Sequence, residues 1–123
     1  MTEPSLRAPY GRYRHVVAVA NPRQLVFFSG QIAVAADDSV PDGIKAQTRL
    51  ILANIDMQLG ELDLDRRHLM RLTTYLVEPA DRPGYMAVRD AWVPDPPPAS
   101  TLVYVAGLVT PALKVEIEAI AAA

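Results

Sequence analysis

Apolar and polar positions follow two periodicities along this chain, and each predicts one type of element. Two strands are predicted first, from the β-branched and aromatic runs YRHVVAVA, which begins at Tyr13, and LVFFSGQIAVA, which begins at Leu25. The turn formers between these runs predict a hairpin. Three more strands are predicted further on, from the runs LMRLTTYLV, STLVYVAGL and LKVEIEAIA.

Two helices are predicted between the strands. The stretch over residues 44–64 has no proline and consists mostly of good helix formers. Its apolar residues recur at spacings of three, four and seven and form one face: Ile44, Ile51, Leu52, Ile55, Leu59 and Leu62. A shorter helix is predicted over Pro83–Trp92, where Tyr85 and Val88 share a face with Trp92. The order β-β-α-β-α-β-β predicts an α+β fold.

Length and composition favour a single small domain. The chain has 123 residues, 50% of them hydrophobic, which suits one packed core and is too short for two ordinary domains. We predict one domain over residues 1–123, with 1–12 as an irregular segment. No apolar run approaches the roughly 18 residues that cross a bilayer, and the amino terminus lacks a signal-like apolar stretch, so no membrane partner is expected. The absence of cysteine fits a reducing compartment, and we expect a cytoplasmic protein.

Charge and motif content argue against several classes of function. The chain has 12 Lys and Arg residues against 14 Asp and Glu residues, so nucleic acid is not expected as a partner. Neither His15 nor His68 has a partner at metal-ligand spacing, and we predict no metal. P-loop, G-x-G-x-x-G and G-x-S-x-G motifs are missing from the sequence, so we expect no nucleotide cofactor and no hydrolase elbow.

The last predicted strand carries candidate acid-base chemistry. Successive side chains of a strand point to opposite faces, so Val115, Ile117 and Ala119 share the core face. Glu116 and Glu118 share the other face. The pattern alone favours two solvated glutamates, because most carboxylates are exposed. The alternative is that oligomerisation buries this face and makes one carboxylate an acid or base.

A glycine between two hydrogen-bonding residues is a second candidate. Ser29, Gly30 and Gln31 lie in the second apolar run, and a glycine there lets the backbone approach a ligand closely. A β-bulge explains the glycine equally well. The sequence pattern leaves both explanations open.

The chain resembles the RidA (YjgF) family from Tyr13 to Ala121, through the ordered segments YRHVV, SGQIAV, AQTRLILANI, LTTYLVEPADRPGYMAVRDAW, PASTLVYVAGL and KVEIEAIA. The resemblance implies a chorismate-mutase-like fold, with two helices packed on one face of a mixed sheet. It also implies a homotrimer with three sites in clefts between subunits. Members of the founding type hydrolyse reactive enamines and imines, such as 2-aminoacrylate, to a 2-keto acid and ammonia without a cofactor.

Several site residues follow from this resemblance. It implies that Glu116 is the catalytic carboxylate, which assists the water that adds to the imine carbon. It implies that the loop 29–31 contributes to substrate binding. The tyrosine of the amino-terminal segment is best matched by Tyr13, with Tyr10 as the alternative.

The chain departs from the founding type at its carboxylate clamp. The founding type has an arginine in a P-A-R segment, where this chain has Ser100, followed by Thr101 and Leu102. Serine offers neither the charge nor the forked donors of arginine, and each lost charge-assisted hydrogen bond costs about 1.5–3 kcal/mol. The PASTLV segment resembles the arginine-lacking branch of the family. We therefore expect Ser100 and Leu102 to line a cleft for a substrate other than 2-aminoacrylate.

Two further residues could contribute to this cleft. Arg89 stands in the second helix where founding-type members tend to have asparagine, and its side chain could reach the substrate. A surface position is favoured for it, because most arginines are exposed. His15 lies two residues after Tyr13, so it could share the strand face of that tyrosine and act as an acid or base. A packed or exposed histidine explains this position at least as well.

Three functions compete for this sequence. The leading hypothesis is an imine or enamine deaminase in which Glu116 handles protons. The second is a non-catalytic trimer that binds a small molecule or regulates through the same cleft. The third is a ribonuclease, which is disfavoured because acidic residues outnumber basic ones.

Overall fold

The computed structural model describes residues 6–123. Its helices and strands follow the order β1 (Leu25–Ile32), α1 (Ile44–Glu61), β2 (Leu69–Leu76), α2 (Arg82–Trp92), β3 (Ala99–Tyr104) and β4 (Val115–Ala122). Short 3₁₀ helices at Arg66–His68 and Pro79–Asp81 precede β2 and α2. The predicted α+β class is confirmed, and both predicted helices are present with boundaries close to those expected. In this described part of the chain, no helix is long and apolar enough to cross a membrane.

The strands form one mixed sheet in the order β1-β4-β2-β3. Strand β4 pairs antiparallel with both β1 and β2, and β3 is added parallel to β2. Parallel neighbours require a crossover connection, and α2 lies in the connection between β2 and β3. This topology places β3 at one edge of the sheet, directly after α2 in the chain.

Both helices pack on the same face of the sheet and enclose the core. The alternation predicted for β4 is confirmed, since Val115, Ile117 and Ala119 are buried and Glu116 is half-buried. Helix α1 contributes the predicted apolar face, with four fully buried side chains at Ile51, Leu52, Ile55 and Leu59. The opposite face of the sheet has no helix over it among the described elements.

The predicted first strand is wrong, and so is the hairpin. Residues 13–20 form no strand, and Val16 is 75% exposed. The segment runs beside the proline-rich connector, where the Arg14 amide donates to the Pro98 carbonyl oxygen at 3.1 Å. The Arg14 side chain donates through Nε to the carbonyl oxygen of Pro97 at 2.6 Å. Pro97 and Pro98 have no backbone N–H groups to donate to the segment. A ladder of strand hydrogen bonds therefore does not form here, despite the β-rich composition.

Candidate functional site

A cavity of about 300 Å³ lies between α2, β3 and the amino-terminal segment. It brings together four positions singled out from the sequence: Tyr13, Arg89, Ser100 and Leu102. The alternative tyrosine, Tyr10, lines the same cavity, so both tyrosines contribute to its wall. These predicted residues therefore lie together within a single chain.

Strand register explains why Ser100 faces this cavity. Ser100 stands opposite Leu72 of β2, which is fully buried beneath the helices. Residues paired across a sheet point to the same face, and so do residues two apart along a strand. Ser100 and Leu102 therefore face α2.

Arg89 is buried, so the favoured surface position for it is wrong. Only 2% of the residue is exposed. It lies four residues after Tyr85 and three before Trp92, so the three share the inward face of α2. Its Nη1 donates to the carbonyl oxygen of Arg12 at 2.6 Å and to Oδ1 of Asp90 at 2.9 Å. Its Nη2 is buried and has no hydrogen-bond partner among the residues that the structure describes.

The amino-terminal segment covers this part of the cavity. Arg12 holds the segment to α2 by donating through Nη1 to the carbonyl oxygen of Asp90 at 2.6 Å. The hydroxyl oxygen of Tyr13 accepts a hydrogen bond from the backbone amide of Tyr10 at 3.2 Å. Through these contacts, residues 10–13 lie over the Arg89 guanidinium.

Two cavity residues were missed by the sequence analysis, namely Arg82 and Met86. Arg82 precedes Arg89 by seven residues, which is two helical turns, so both arginines project from one side of α2. Met86 lies between them at the intermediate turn. The spacing was present in the sequence and becomes informative once Arg89 is known to face inward.

A buried hydroxyl pair lies beneath Arg89. The Tyr85 hydroxyl and the Thr74 Oγ1 are 2.5 Å apart, and both residues are 1% exposed. Burial raises the pKa of Tyr85, although the hydrogen bond to Thr74 and the nearby Arg89 charge oppose that rise. The pair joins α2 to β2 at the floor of the cavity.

We expect Tyr85→Phe to lower the free energy of unfolding by about 1–2 kcal/mol, because the Thr74 hydroxyl loses its partner in a dry environment. The double variant Tyr85→Phe/Thr74→Val removes both polar groups and should recover most of that loss. Urea denaturation followed by circular dichroism measures both variants. A double variant that is less stable than Tyr85→Phe would contradict this account.

Glu116 and residues 29–31, which lie within β1 rather than in the expected loop, are close together at the other end of the sheet. The pairing of β1 with β4 shifts register between Phe28 and Gln31, so the β-bulge interpretation of Gly30 is confirmed. A Cβ atom at Gly30 would overlap Oε2 of Glu116. The carboxylate therefore packs directly on the glycine backbone, and the small residue is needed for that contact.

Ser29 and Gln31, on either side of Gly30 in β1, have different surroundings. Gln31 donates through Nε2 to the Ser29 carbonyl oxygen at 2.9 Å, which braces the bulge. Its Oε1 accepts a hydrogen bond from Gln58 of α1 at 2.9 Å, so its side chain lies toward the helices. Ser29 is exposed beside Gly30.

The sheet separates Glu116 from Ser100 within one chain. Glu116 stands opposite Tyr75 of β2, whereas Ser100 stands opposite Leu72. Positions 72 and 75 differ by an odd number, so they point to opposite faces. The predicted site residues therefore fall into two groups on opposite faces of the sheet, one around Arg89 and Ser100 and one around Glu116.

The face that carries Glu116 also holds a second glutamate in a polar network. The Tyr75 hydroxyl donates to a carboxylate oxygen of Glu118, and this hydrogen bond raises the pKa of Tyr75. Arg71 donates through Nη2 to Thr101 Oγ1 at 2.6 Å on the same face. Glu118 is therefore engaged by a neighbouring strand, while Glu116 rests on Gly30.

His15 lies outside the cavity around Arg89. It lines a shallow depression on the open face of the sheet, together with Val16 and Ile120. The expectation of a shared strand face is wrong, because residues 13–20 form no strand. The His15 ring nevertheless contacts the Tyr13 ring edge to face, with centroids 5.8 Å apart.

A larger cavity, about 470 Å³, lies between the two helices. None of the predicted site residues lines it, although Leu52, Val88 and Trp92 of the predicted helix faces do. Arg66 pairs there with Asp56 at 2.8 Å, and the Trp92 indole donates to the same carboxylate at 2.9 Å. The polar groups of Arg66, Asp56 and Trp92 are hydrogen-bonded to one another. The smaller cavity around Arg89 is therefore the better candidate site.

Known proteins resemble this chain over most of its length. Protein mmf2, a mitochondrial protein of Schizosaccharomyces pombe, is 37% identical over 101 residues, which cover 80% of this chain and 79% of mmf2. The crystal structure of YyfB, a Rid family protein from Yersinia pestis, superposes with a TM-score of 0.84 at 27% identity, covering 99% of this chain and 96% of that one. RidA from Psychrobacter sp. PAMC 21119 superposes with a TM-score of 0.76 at 27% identity, covering 94% and 92%.

The family model described as Endoribonuclease L-PSP matches residues 4–123 of this chain. The match spans every helix and strand described above. It agrees with the segments that resemble RidA, and with the two helices packed on a mixed sheet. The chain therefore belongs to the Endoribonuclease L-PSP family, which is the RidA/YjgF family.

Proposed function

We propose that this chain is a cofactor-independent deaminase that hydrolyses a reactive imine or enamine to a carbonyl compound and ammonia. The observation that carries the proposal is the Glu116 carboxylate, which packs on Gly30 at the open face of the sheet. A carboxylate held beside an electrophilic carbon can accept a proton from water and later return it to a leaving amine. Family membership supports this chemistry without assigning it.

The complete site is expected between protomers of a homotrimer. Glu116 and Ser100 point away from each other in one chain, so a site that uses both needs the cavity of one protomer and the open face of its neighbour. The exposed apolar side chains of that face support association, since Phe27 is 70% exposed and Val103 is 40% exposed. Association would also shield Glu116 from bulk water.

The proposed reaction needs no redox step. Water attacks the carbon of the protonated imine, a C–O bond forms, and Glu116 accepts a proton from the water. The proton then passes from Glu116 to the nitrogen of the carbinolamine, and the C–N bond breaks. Loss of the remaining hydroxyl proton gives the carbonyl group, so one water is consumed for each ammonia released.

The substrate is expected to differ from 2-aminoacrylate. Ser100 occupies the position of the founding-type arginine and can donate one uncharged hydrogen bond.

Ribonuclease activity is the weaker candidate, despite the family's description. The net charge of −2 provides little attraction for a phosphate backbone. Arg66 and Arg67 already pair with Asp56 and Asp65 at 2.8 and 2.7 Å.

A cytoplasmic location stays a prediction, and the relative mmf2 is named as mitochondrial.

The first test measures ammonia release by the purified full chain. Imines are generated in situ by an amino-acid oxidase, which gives carboxylate-bearing imines, and by an amine oxidase, which gives neutral ones. We expect faster ammonia release from at least one imine and little acceleration with 2-aminoacrylate. If no imine is turned over but a carbonyl product raises the melting temperature, the non-catalytic binding protein becomes the better account.

A further inference from the structure

The outer surfaces of the two helices form a groove that the proposed reaction does not use. The cavity of about 470 Å³ between α1 and α2 is bordered by Lys45 and Arg49 toward one end and by Arg66 toward the other. A neighbouring depression of about 420 Å³ shares Arg66 with it and extends to Arg67. The two together are called the interhelix groove. It lies on the helix side of the sheet, whereas Glu116 lies on the open face, so association through the open face would leave the groove uncovered.

The shape of the groove suits an apolar ridge. Its floor consists of Leu52, Val88 and Trp92, and its walls include the exposed Ala53 of α1 and Ala87 of α2. An alanine side chain is a single methyl group, so these wall positions leave the groove open. The apolar side chains of a docked helix can therefore pack between α1 and α2, which is a recurring way in which amphipathic helices bind to proteins.

Two basic residues at the start of α1 have no counter-charge within the described chain. Lys45 and Arg49 are exposed and one helical turn apart, and neither forms an ion pair with any of residues 6–123. Like charges at this spacing destabilise a helix, and cations near its amino terminus oppose the helix dipole. The first turn of α1 contains no acidic residue to offset them. Since the whole chain has a net charge of −2, this basic end is a local feature, and an acidic partner would supply the missing charge.

The middle of the groove favours a peptide over a nucleic acid. Arg66 donates to both oxygens of Asp56 at 2.8 and 2.9 Å and to the carbonyl oxygen of Trp92 at 3.0 Å. Its guanidinium lies over the Trp92 ring, 4.9 Å from the ring centroid. Trp92 therefore offers no bare ring face on which a base could stack. The carboxylates of Asp56 and Asp65, which line the groove, would also repel phosphate groups.

We propose that the interhelix groove binds an acidic amphipathic helix of a partner protein. Apolar side chains of the partner pack on Leu52 and Val88, and its acidic side chains pair with Lys45 and Arg49. From Lys45 to Asp56, α1 rises about 16 Å at about 1.5 Å per residue, a length that about three turns of the partner helix would cover.

This inference goes beyond the proposed function and does not depend on it. A second copy of this chain is a less suitable occupant than an acidic partner. Two copies that pair through the same surface would bring the basic ends of their grooves together, and like charges across an interface oppose association.

Selection from a random peptide library on the purified full chain tests the proposal, with peptides long enough for four helical turns. We expect the enriched peptides to have apolar residues at spacings of three, four and seven, with Asp or Glu beside them. The affinity of the strongest peptide is then measured by fluorescence anisotropy. A selected set that is not enriched in acidic residues would overturn the proposal.

The double variant Lys45→Gln/Arg49→Gln should weaken binding of this peptide about tenfold without lowering the melting temperature, because the lost charges are on the rim and have no partner in the folded chain. Arg23→Gln/Lys114→Gln is the matched control, since it changes the net charge equally away from the groove. We expect the control to bind the peptide as well as the original chain does. Equal losses in both double variants would mean non-specific attraction and would overturn the proposal.

Ala87→Gln tests the shape of the groove separately from its charge. The longer neutral side chain would fill part of the groove, and the position is exposed, so the protein should fold normally while peptide binding falls about tenfold. Unchanged binding in Ala87→Gln would contradict docking between the helices. Tighter binding of a single-stranded RNA oligonucleotide that displaces the peptide would also overturn the proposal. Light scattering should give the same assembly for Lys45→Gln/Arg49→Gln as for the original chain, and a smaller assembly would make a second copy the occupant instead.

Discussion

Glu116→Gln is expected to lower the rate of imine hydrolysis by about 10²–10⁴-fold, which is the usual contribution of a positioned acid-base group. Glutamine keeps the shape of the side chain, but it cannot accept a proton from water and return it to nitrogen. The side chain packs on Gly30 at the bulge, so the protein should fold with little change. Ammonia release under saturating substrate measures the effect, with circular dichroism as a check on folding.

Glu118→Gln is the matched control for this variant. Glu118 lies two residues further along the same strand and on the same face, but its carboxylate accepts a hydrogen bond from Tyr75. We expect this variant to keep most of the activity. Equal losses in the two variants would mean that the face needs negative charge in general, and the assignment of Glu116 as the proton carrier would be wrong.

Gly30→Ala provides an independent test of the same carboxylate. The added methyl group would overlap Oε2 of Glu116, so the carboxylate must move away from its position. We expect activity to fall while the carboxylate itself is still present. Full activity in Gly30→Ala would show that the position of Glu116 against the bulge is unimportant for the reaction.

Gln47→Leu is expected to destabilise the protein by about 3 kcal/mol or more. Gln47 is 1% exposed and joins three parts of the chain. Its Nε2 donates to the carbonyl oxygens of Pro41 and Ala112 at 3.1 and 2.9 Å, and its Oε1 accepts from the Lys114 amide at 2.8 Å. Leucine would leave these three partly buried backbone groups without their partners, and each loss costs on the order of 1 kcal/mol.

Gln58→Leu is the matched control on the same helix. Gln58 is partly exposed and donates hydrogen bonds to Gln31 and to the Asn54 carbonyl oxygen. Because the site is near solvent, water can replace these hydrogen bonds. We expect a loss below about 1 kcal/mol. Urea denaturation at a fixed protein concentration compares the two variants, because association would couple stability to concentration. Unchanged stability of Gln47→Leu would contradict the role of its side chain.

The failure at residues 13–20 shows the limit of composition as a guide to strands. The run has the β-branched residues of a strand, but a strand forms only where a neighbouring backbone offers both donors and acceptors. The neighbour here includes Pro97 and Pro98, which accept hydrogen bonds from Arg14 and have no N–H to offer. Which backbone lies beside the run is decided by the position of the connector after α2.

Arg89 illustrates the same limit for side chains. Its residue type favours the surface, while its spacing from Tyr85 and Trp92 places it on the inward face of α2. The two indications conflict, and the conflict is resolved by contacts that come from far along the chain. The carbonyl oxygen of Arg12, 77 residues away, accepts one of its hydrogen bonds.

By itself, the sequence determined the features that depend on neighbours a few residues apart. Apolar spacing predicted both helices and the alternation of β4, and ordered motifs predicted the family. The tertiary structure alone decided which residues meet, because strand pairing joins distant segments whose register no local pattern encodes. Placing β3 beside β2 and under α2 assembled the cavity around Arg89 and Ser100, and the sheet between them put Glu116 on the opposite face.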